Sequence, residues 1–230
     1  MKKIIFAVLI VVLIGLAGCG PGNTINSSGN YEITVDPDEA EVWAGVSVVD
    51  VSADLAQNEV NKVMGDMINA LKKAGISESD MSTEQLSIYE ERRWEGGKST
   101  VVGWRATQIL KIKTTDLTKV GTIVDVAVEN GANQINNINF GLSVEKENEY
   151  KTLALAEATK NAKEKAETIA SSLDVKLKGI KSVSESGYYA RPYAYVMEAK
   201  AGADVVAEAA QVMPGDVTVS ANVNVIYYVG

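Results

Sequence analysis

EQLSIYEERRWEGGKSTVVGWRATQILKIK, residues 84–113, decides the fold class. Residues 84–95 and 98–113 are two β-rich runs joined at Gly96 and Gly97, and a glycine pair between such runs signals a hairpin. A hairpin is antiparallel. A doubly wound parallel sheet would instead need a long crossover, usually a helix, between paired strands.

Upstream, residues 40–52 (AEVWAGVSVVDVS) alternate, with Val42, Ala44, Val46 and Val48 on one face. Residues 31–35 are a shorter strand, and Asp36-Pro37-Asp38 is a turn. Between these strands and the hairpin, the spacing predicts a helix over 55–74. Val60, Val63, Met67, Leu71 and Ala74 form its apolar stripe, and Gly75 is placed to end it in a left-handed conformation.

Downstream, Asp116 can cap a second helix through residue 130, with Leu117, Val120, Val124 and Ala127 inward. Residues 134–144 are a third strand region. Residues 148–173 are the strongest helix pattern, with Leu155, Ala158, Ala162, Ala166, Ile169 and Leu173 facing one way. Strands follow over 178–186 and 216–229, and residues 188–215 between them are expected as an irregular loop. The fold class expected is α+β: mixed, mainly antiparallel sheet with about three packed helices, forming one domain over 31–230.

The N-terminus has a different logic. Met1-Lys2-Lys3 is a short positive segment, residues 4–16 are apolar, and Leu16-Ala17-Gly18-Cys19 follows. This is the layout of an export signal, and its end resembles a bacterial lipobox. The resemblance implies a signal peptide over 1–18, cleaved before Cys19, and a lipid on the Cys19 thiol. The alternative is an uncleaved anchor, but the apolar stretch falls short of the ~20 residues that span a bilayer. Residues 19–30 then read as the lipidated cysteine and a flexible, Gly/Ser/Asn-rich linker.

Composition narrows the chemistry. The chain of 230 residues is 46% hydrophobic and 23% charged, so it can build a core. Its formal charge of −8 disfavours nucleic acid and anionic lipid as electrostatic partners. Membrane attachment is therefore expected through the lipid on Cys19. There is no histidine, which excludes Ser-His-Asp and Cys-His catalysis, and Cys19 is the single cysteine, which excludes an internal disulfide.

No catalytic residue, metal site or cofactor is expected. Asp36, Asp38, Glu39 and Glu41 lack the spacing of a calcium loop and read as a solvated turn. Gly96-Gly97-Lys98-Ser99 ends like a phosphate-binding loop, but Arg92 stands where the first glycine belongs. Two candidate interaction surfaces remain. One is the hairpin tip, where Trp94 sits among charges of both signs. The other is YYARPYAY over 188–195, with Tyr188, Tyr189, Arg191, Tyr193 and Tyr195. Tyrosine, tryptophan and arginine are enriched at interfaces.

Several stretches, in order, resemble the SIMPL-domain family of bacterial envelope proteins. They are Asp36-Pro37-Asp38-Glu39-Ala40, Lys72-Lys73-Ala74-Gly75-Ile76 followed by residues 83–88, and Gly103-Trp104-Arg105-Ala106. They continue with DVAVENGANQI over 125–135, the alanine-spaced helix over 158–173, and Pro214-Gly215-Asp216. Asp174 departs from the family, whose helix usually ends in glycine there. Most relatives also lack a lipidated cysteine. The resemblance implies an α+β domain, ring-shaped assembly in some relatives and no established enzymatic activity. The function expected is a membrane-tethered, non-enzymatic, self-assembling envelope protein with a structural or stress-protective role. The alternative is a binding module that uses the tyrosine-rich stretch 188–195.

Overall fold

A computed structural model of the chain describes residues 22–191, 193–195 and 214–230. Cys19 and the signal segment lie outside the described residues. The elements run β1 (Thr24–Val35), β2 (Glu39–Asp50), α1 (Ala53–Lys73), β3 (Met81–Glu95), β4 (Lys98–Thr114), α2 (Lys119–Glu129), β5 (Gln134–Gly141), α3 (Val144–Ser172), β6 (Leu177–Arg191), β7 (Tyr193–Tyr195) and β8 (Val217–Val229). The fold is α+β, as the hairpin and the three helical periodicities require.

The stretch 31–230, expected as one domain, divides into two compact units. Among the described residues, one holds those up to Ile33 with Tyr150–Tyr189 and Val219–Gly230; the other holds Thr34–Glu149 and those within 190–218. The physical reason is that the described residues form two separate sheets, of strand order β1-β8-β6 and β3-β4-β2-β5-β7, and each needs its own apolar cover.

In the second unit, β2 pairs antiparallel with both β4 and β5, and β4 with β3. Ala40, Val42, Ala44 and Val46 of β2 and Ala106, Leu110 and Ile112 of β4 are buried with Val60, Met64, Met67 and Leu71 of α1 and Val120, Ile123, Val124 and Ala127 of α2. One face of the sheet thus carries both helices. Ser52 caps α1 by accepting the Leu55 N–H at 3.3 Å, and Gly75 takes the expected left-handed conformation, φ +84°. The hairpin turn is as expected: Glu95 faces Lys98, and both Gly96 and Gly97 have positive φ, as a tight two-residue turn demands.

In the first unit, bonds at the strand ends fix the direction of pairing. Val229 N–H donates to the Asn23 carbonyl, and Lys176 and Gly230 exchange a pair of bonds. The end of β8 therefore lies beside the start of both neighbours, and both pairings are antiparallel. Val219, Ala221, Val223, Val225 and Tyr227 of β8 are buried, as are Ala154, Ala158, Ala162, Ala166 and Ala170 of α3.

Three expectations are corrected here. The linker over 19–30 was expected to be flexible, but β1 begins at Thr24, and Ile25, Ser27 and Gly29 alternate inward. Ser27 Oγ donates to the Ala162 carbonyl at 2.8 Å, so its polar side chain is buried with a partner. The stripe of α3 is rotated toward alanine alone: Ile169 and Leu173 are exposed. At Gly29, β1 comes so close to the backbone of α3 that no side chain fits between them. Residues 188–191 and 193–195, expected within an irregular loop, are strand.

Candidate functional site

The hairpin arm was the first surface expected. β3 forms one edge of the five-stranded sheet and has no buried residue. Leu86, Ile88, Tyr89 and Trp94 are exposed along it, Trp94 to 73%, with Val101 and Val102 exposed on β4. Part of its charge is paired within the arm: Arg92 donates twice to Glu90, at 2.7 and 3.0 Å. An edge strand with exposed apolar residues is a surface suited to pairing with another chain.

The tyrosine-rich stretch was the second. Its backbone continues β6 through Arg191 and then forms β7, which pairs with β5 so that Tyr193 stands opposite Phe140 and Tyr195 opposite Ile138. The side chains of Tyr188, Tyr189, Arg191, Tyr193 and Tyr195 lie outside the described residues. β7 is the other edge of the same sheet.

The acidic turn has structural work. Asp38 accepts the Ser143 backbone N–H at 2.6 Å and the Ser143 hydroxyl at 2.7 Å. Glu39 and Glu41 lie 3.1 and 3.3 Å from Lys113 Nζ, and Glu41 lies 3.7 Å from Lys111. The hydrogen bond to Glu39 is the main reason the Lys113 ammonium is held above its usual pKa.

A third surface was not foreseen. It is the face of the five-stranded sheet opposite the helices of its own unit. A groove of about 370 Å³ runs there, lined by Ser47, Gln85, Ser87, Tyr89, Arg105, Thr107, Ile109, Gln134 and Asn136. A cross-strand network organises it. Arg105 donates to Glu91 at 2.8 Å and to Ser47 Oγ at 3.1 Å, and the hydroxyls of Ser47 and Thr107 are 2.9 Å apart. The side-chain hydrogen bond from Arg105 holds the Glu91 carboxyl below the ordinary glutamate range, and the same bond raises the Arg105 guanidinium. Asn133 fixes the Ser47 backbone: its Oδ1 accepts the Ser47 N–H at 2.9 Å and its Nδ2 donates to the Ser47 carbonyl at 2.8 Å.

Two register shifts bring these side chains together. Trp43 faces Asn137 and Ala44 faces Ile135, which leaves Asn136 as the extra residue of a bulge in β5. Thr83 faces Leu110 and Gln85 faces Ile109, which leaves Glu84 extra in β3. Beyond that shift Gln85, Ser87, Tyr89 and Glu91 are registered on the face away from the helices rather than toward them. Period-2 alternation read across a bulge assigns the wrong face, so the groove was hidden from the sequence pattern.

The family model described as "SIMPL: Protein of unknown function (DUF541)" matches residues 25–227. The chain is 26% identical over 203 residues to "Uncharacterized protein YggE" of Escherichia coli (strain K12), covering 84% of this chain and 82% of that one. It is 28% identical over 167 residues to the "26 kDa periplasmic immunogenic protein" of Brucella melitensis, covering 69% of this chain and 64% of that one. None of these names carries an enzymatic activity.

Proposed function

The chain belongs to the SIMPL family, and from that premise we propose that it is a membrane-tethered, extracytoplasmic, non-enzymatic protein that self-assembles and has a structural or stress-protective role in the cell envelope. The observation that carries the assembly reading is β3. It is an edge strand without a buried residue, with Leu86, Ile88, Tyr89 and Trp94 exposed along it. A monomer that left such an edge in water would carry an aggregation hazard, and a defined partner copy removes it. Export is supported by the signal-like residues 1–18 and by a relative that is named periplasmic. Tethering rests on Cys19 and its lipobox-like context.

The test is the absolute mass of residues 20–230 in solution, by light scattering after size-exclusion chromatography, for the natural sequence and for Trp94→Ala. A discrete multiple of the monomer mass that falls in the variant supports the reading. A monomer across the accessible concentration range removes it. A second reading, recognition through the stretch 188–195, draws on β7 forming the other edge of the five-stranded sheet.

A further inference from the structure

We propose that the groove on the open face of the five-stranded sheet binds a neutral oligosaccharide, held by the side chains of Gln85, Ser87, Gln134 and Asn136 with the Tyr89 ring against the sugar. Ordinary solvated surfaces are rich in lysine, arginine and carboxylates. Here charged residues occupy one end of the face as self-neutralising pairs, Lys111 and Lys113 with Glu39 and Glu41. Among the described residues that line the groove Arg105 alone is charged, and its guanidinium is engaged by Glu91 and Ser47. An ionic ligand would meet no unpaired opposite charge among these residues.

What the groove offers is neutral. Amide side chains each carry two donors and an acceptor, and hydroxyls are both donor and acceptor, which suits adjacent sugar hydroxyls that donate and accept together. The side chains of Gln134 and Asn136 have no hydrogen-bond partner among the described residues, and both line the groove. Tyr89 is half exposed at its side, and an aromatic ring supplies an apolar surface for the C–H face of a pyranose. A peptide would be expected elsewhere. Peptides add to sheets through backbone bonds at an edge, whereas the backbone of β4 and β2 beneath the groove is paired on both sides. The two bulges at Glu84 and Asn136 are the independent observation. On different strands, both add polar side chains to this one face, and bulges recur where a side chain is re-aimed beside a site.

The experiment is isothermal titration of the full chain, in a zwitterionic detergent without a sugar headgroup, with chitotetraose, cellotetraose and maltotetraose. At least one should bind saturably with Kd of about 0.1–1 mM, the range expected of a few exposed hydrogen bonds and one ring. That binding should persist in high salt. Gln134→Ala with Asn136→Ala, both partnerless, should keep the fold by circular dichroism and weaken binding about tenfold or more; Tyr89→Ala should weaken it as well. Absence of binding for all three sugars at concentrations well above that range would overturn the proposal. So would binding that the double variant leaves unchanged, or binding that salt abolishes.

Discussion

Gly29 of β1 lies against the main chain of Ala158 in α3: a Cβ built on Gly29 would stand 1.9 Å from the Ala158 carbonyl oxygen and 2.5 Å from the Ala162 nitrogen. Both obstacles are helix backbone, which cannot rotate away. Gly29→Ala must therefore push β1 and α3 apart. The expected loss is about 2–4 kcal/mol, the cost of overpacking at a site that cannot relax. Urea unfolding measures it, and amide exchange should show the loss in β1 and α3. Gly179→Ala, where nothing lies within 4 Å of the added carbon, should stay within about 0.5 kcal/mol of the natural chain.

Asp174 holds φ +54°, the left-handed conformation that ends α3, and Val175 N–H closes the cap on the Ala170 carbonyl at 3.0 Å. The departure from the family's glycine therefore changes the residue and keeps the conformation. An L-residue pays a steric cost there that glycine avoids, partly offset by glycine's freer unfolded chain. Asp174→Gly should stabilise by about 0.5 kcal/mol and Asp174→Val should destabilise by about 1 kcal/mol or more. Thermal unfolding of the two variants side by side checks the sign of each.

Asn133 holds both backbone groups of Ser47, and the site is exposed. Asn133→Ala should cost about 1 kcal/mol, since water can replace the lost bonds. The more specific readout is faster hydrogen exchange at the Ser47 amide, with slow exchange retained in the centre of β4. Unchanged exchange at Ser47 would contradict the pinning role.

Glu91 supplies a pH dependence. Its folded pKa lies below the ordinary 4.5 because Arg105 donates a hydrogen bond to the ionised carboxyl. A depressed carboxyl contributes stability that is present above the unfolded value and lost as pH falls through the folded one. Stability should decline below about pH 4.5 in part through this group, and Glu91→Gln should flatten that acid limb while leaving its shape near neutral pH unchanged. Denaturant midpoints between acid and neutral pH test it; an identical acid limb in both proteins would remove Glu91 from the account.

Much of the architecture was legible because its signals are local. The Gly96-Gly97 turn requires positive φ, which glycine supplies at low cost, so the pair marks the hairpin without any tertiary information. The stripe of Val60, Met67 and Leu71 and the cap at Gly75 are likewise readable from spacing along one helix. Asp116, expected to cap this helix, instead stabilises the turn before α2 by accepting the Thr118 N–H and hydroxyl, at 3.2 and 2.6 Å; the cap position is Thr118, and no side chain caps it.

By itself, the sequence determined the helices α1, α2 and α3, most of the strands and the antiparallel β3–β4 hairpin, and that no histidine or thiol pair is available for chemistry. Those properties depend on neighbours a few residues apart. Tertiary structure decided the rest. GNTINSSGN over 22–30 has the composition of a linker, yet most of it is a strand, because Ile25, Ser27 and Gly29 turn inward, Ser27 bonds to the backbone of α3, and Gly29 meets that backbone too closely for any side chain. The amides and hydroxyls at 47, 85, 87, 107, 134 and 136 come from four strands, and two bulges choose their face. A bulge is set by how a strand meets its partner, and a close approach by what the partner presents, so neither is written in the strand's own pattern.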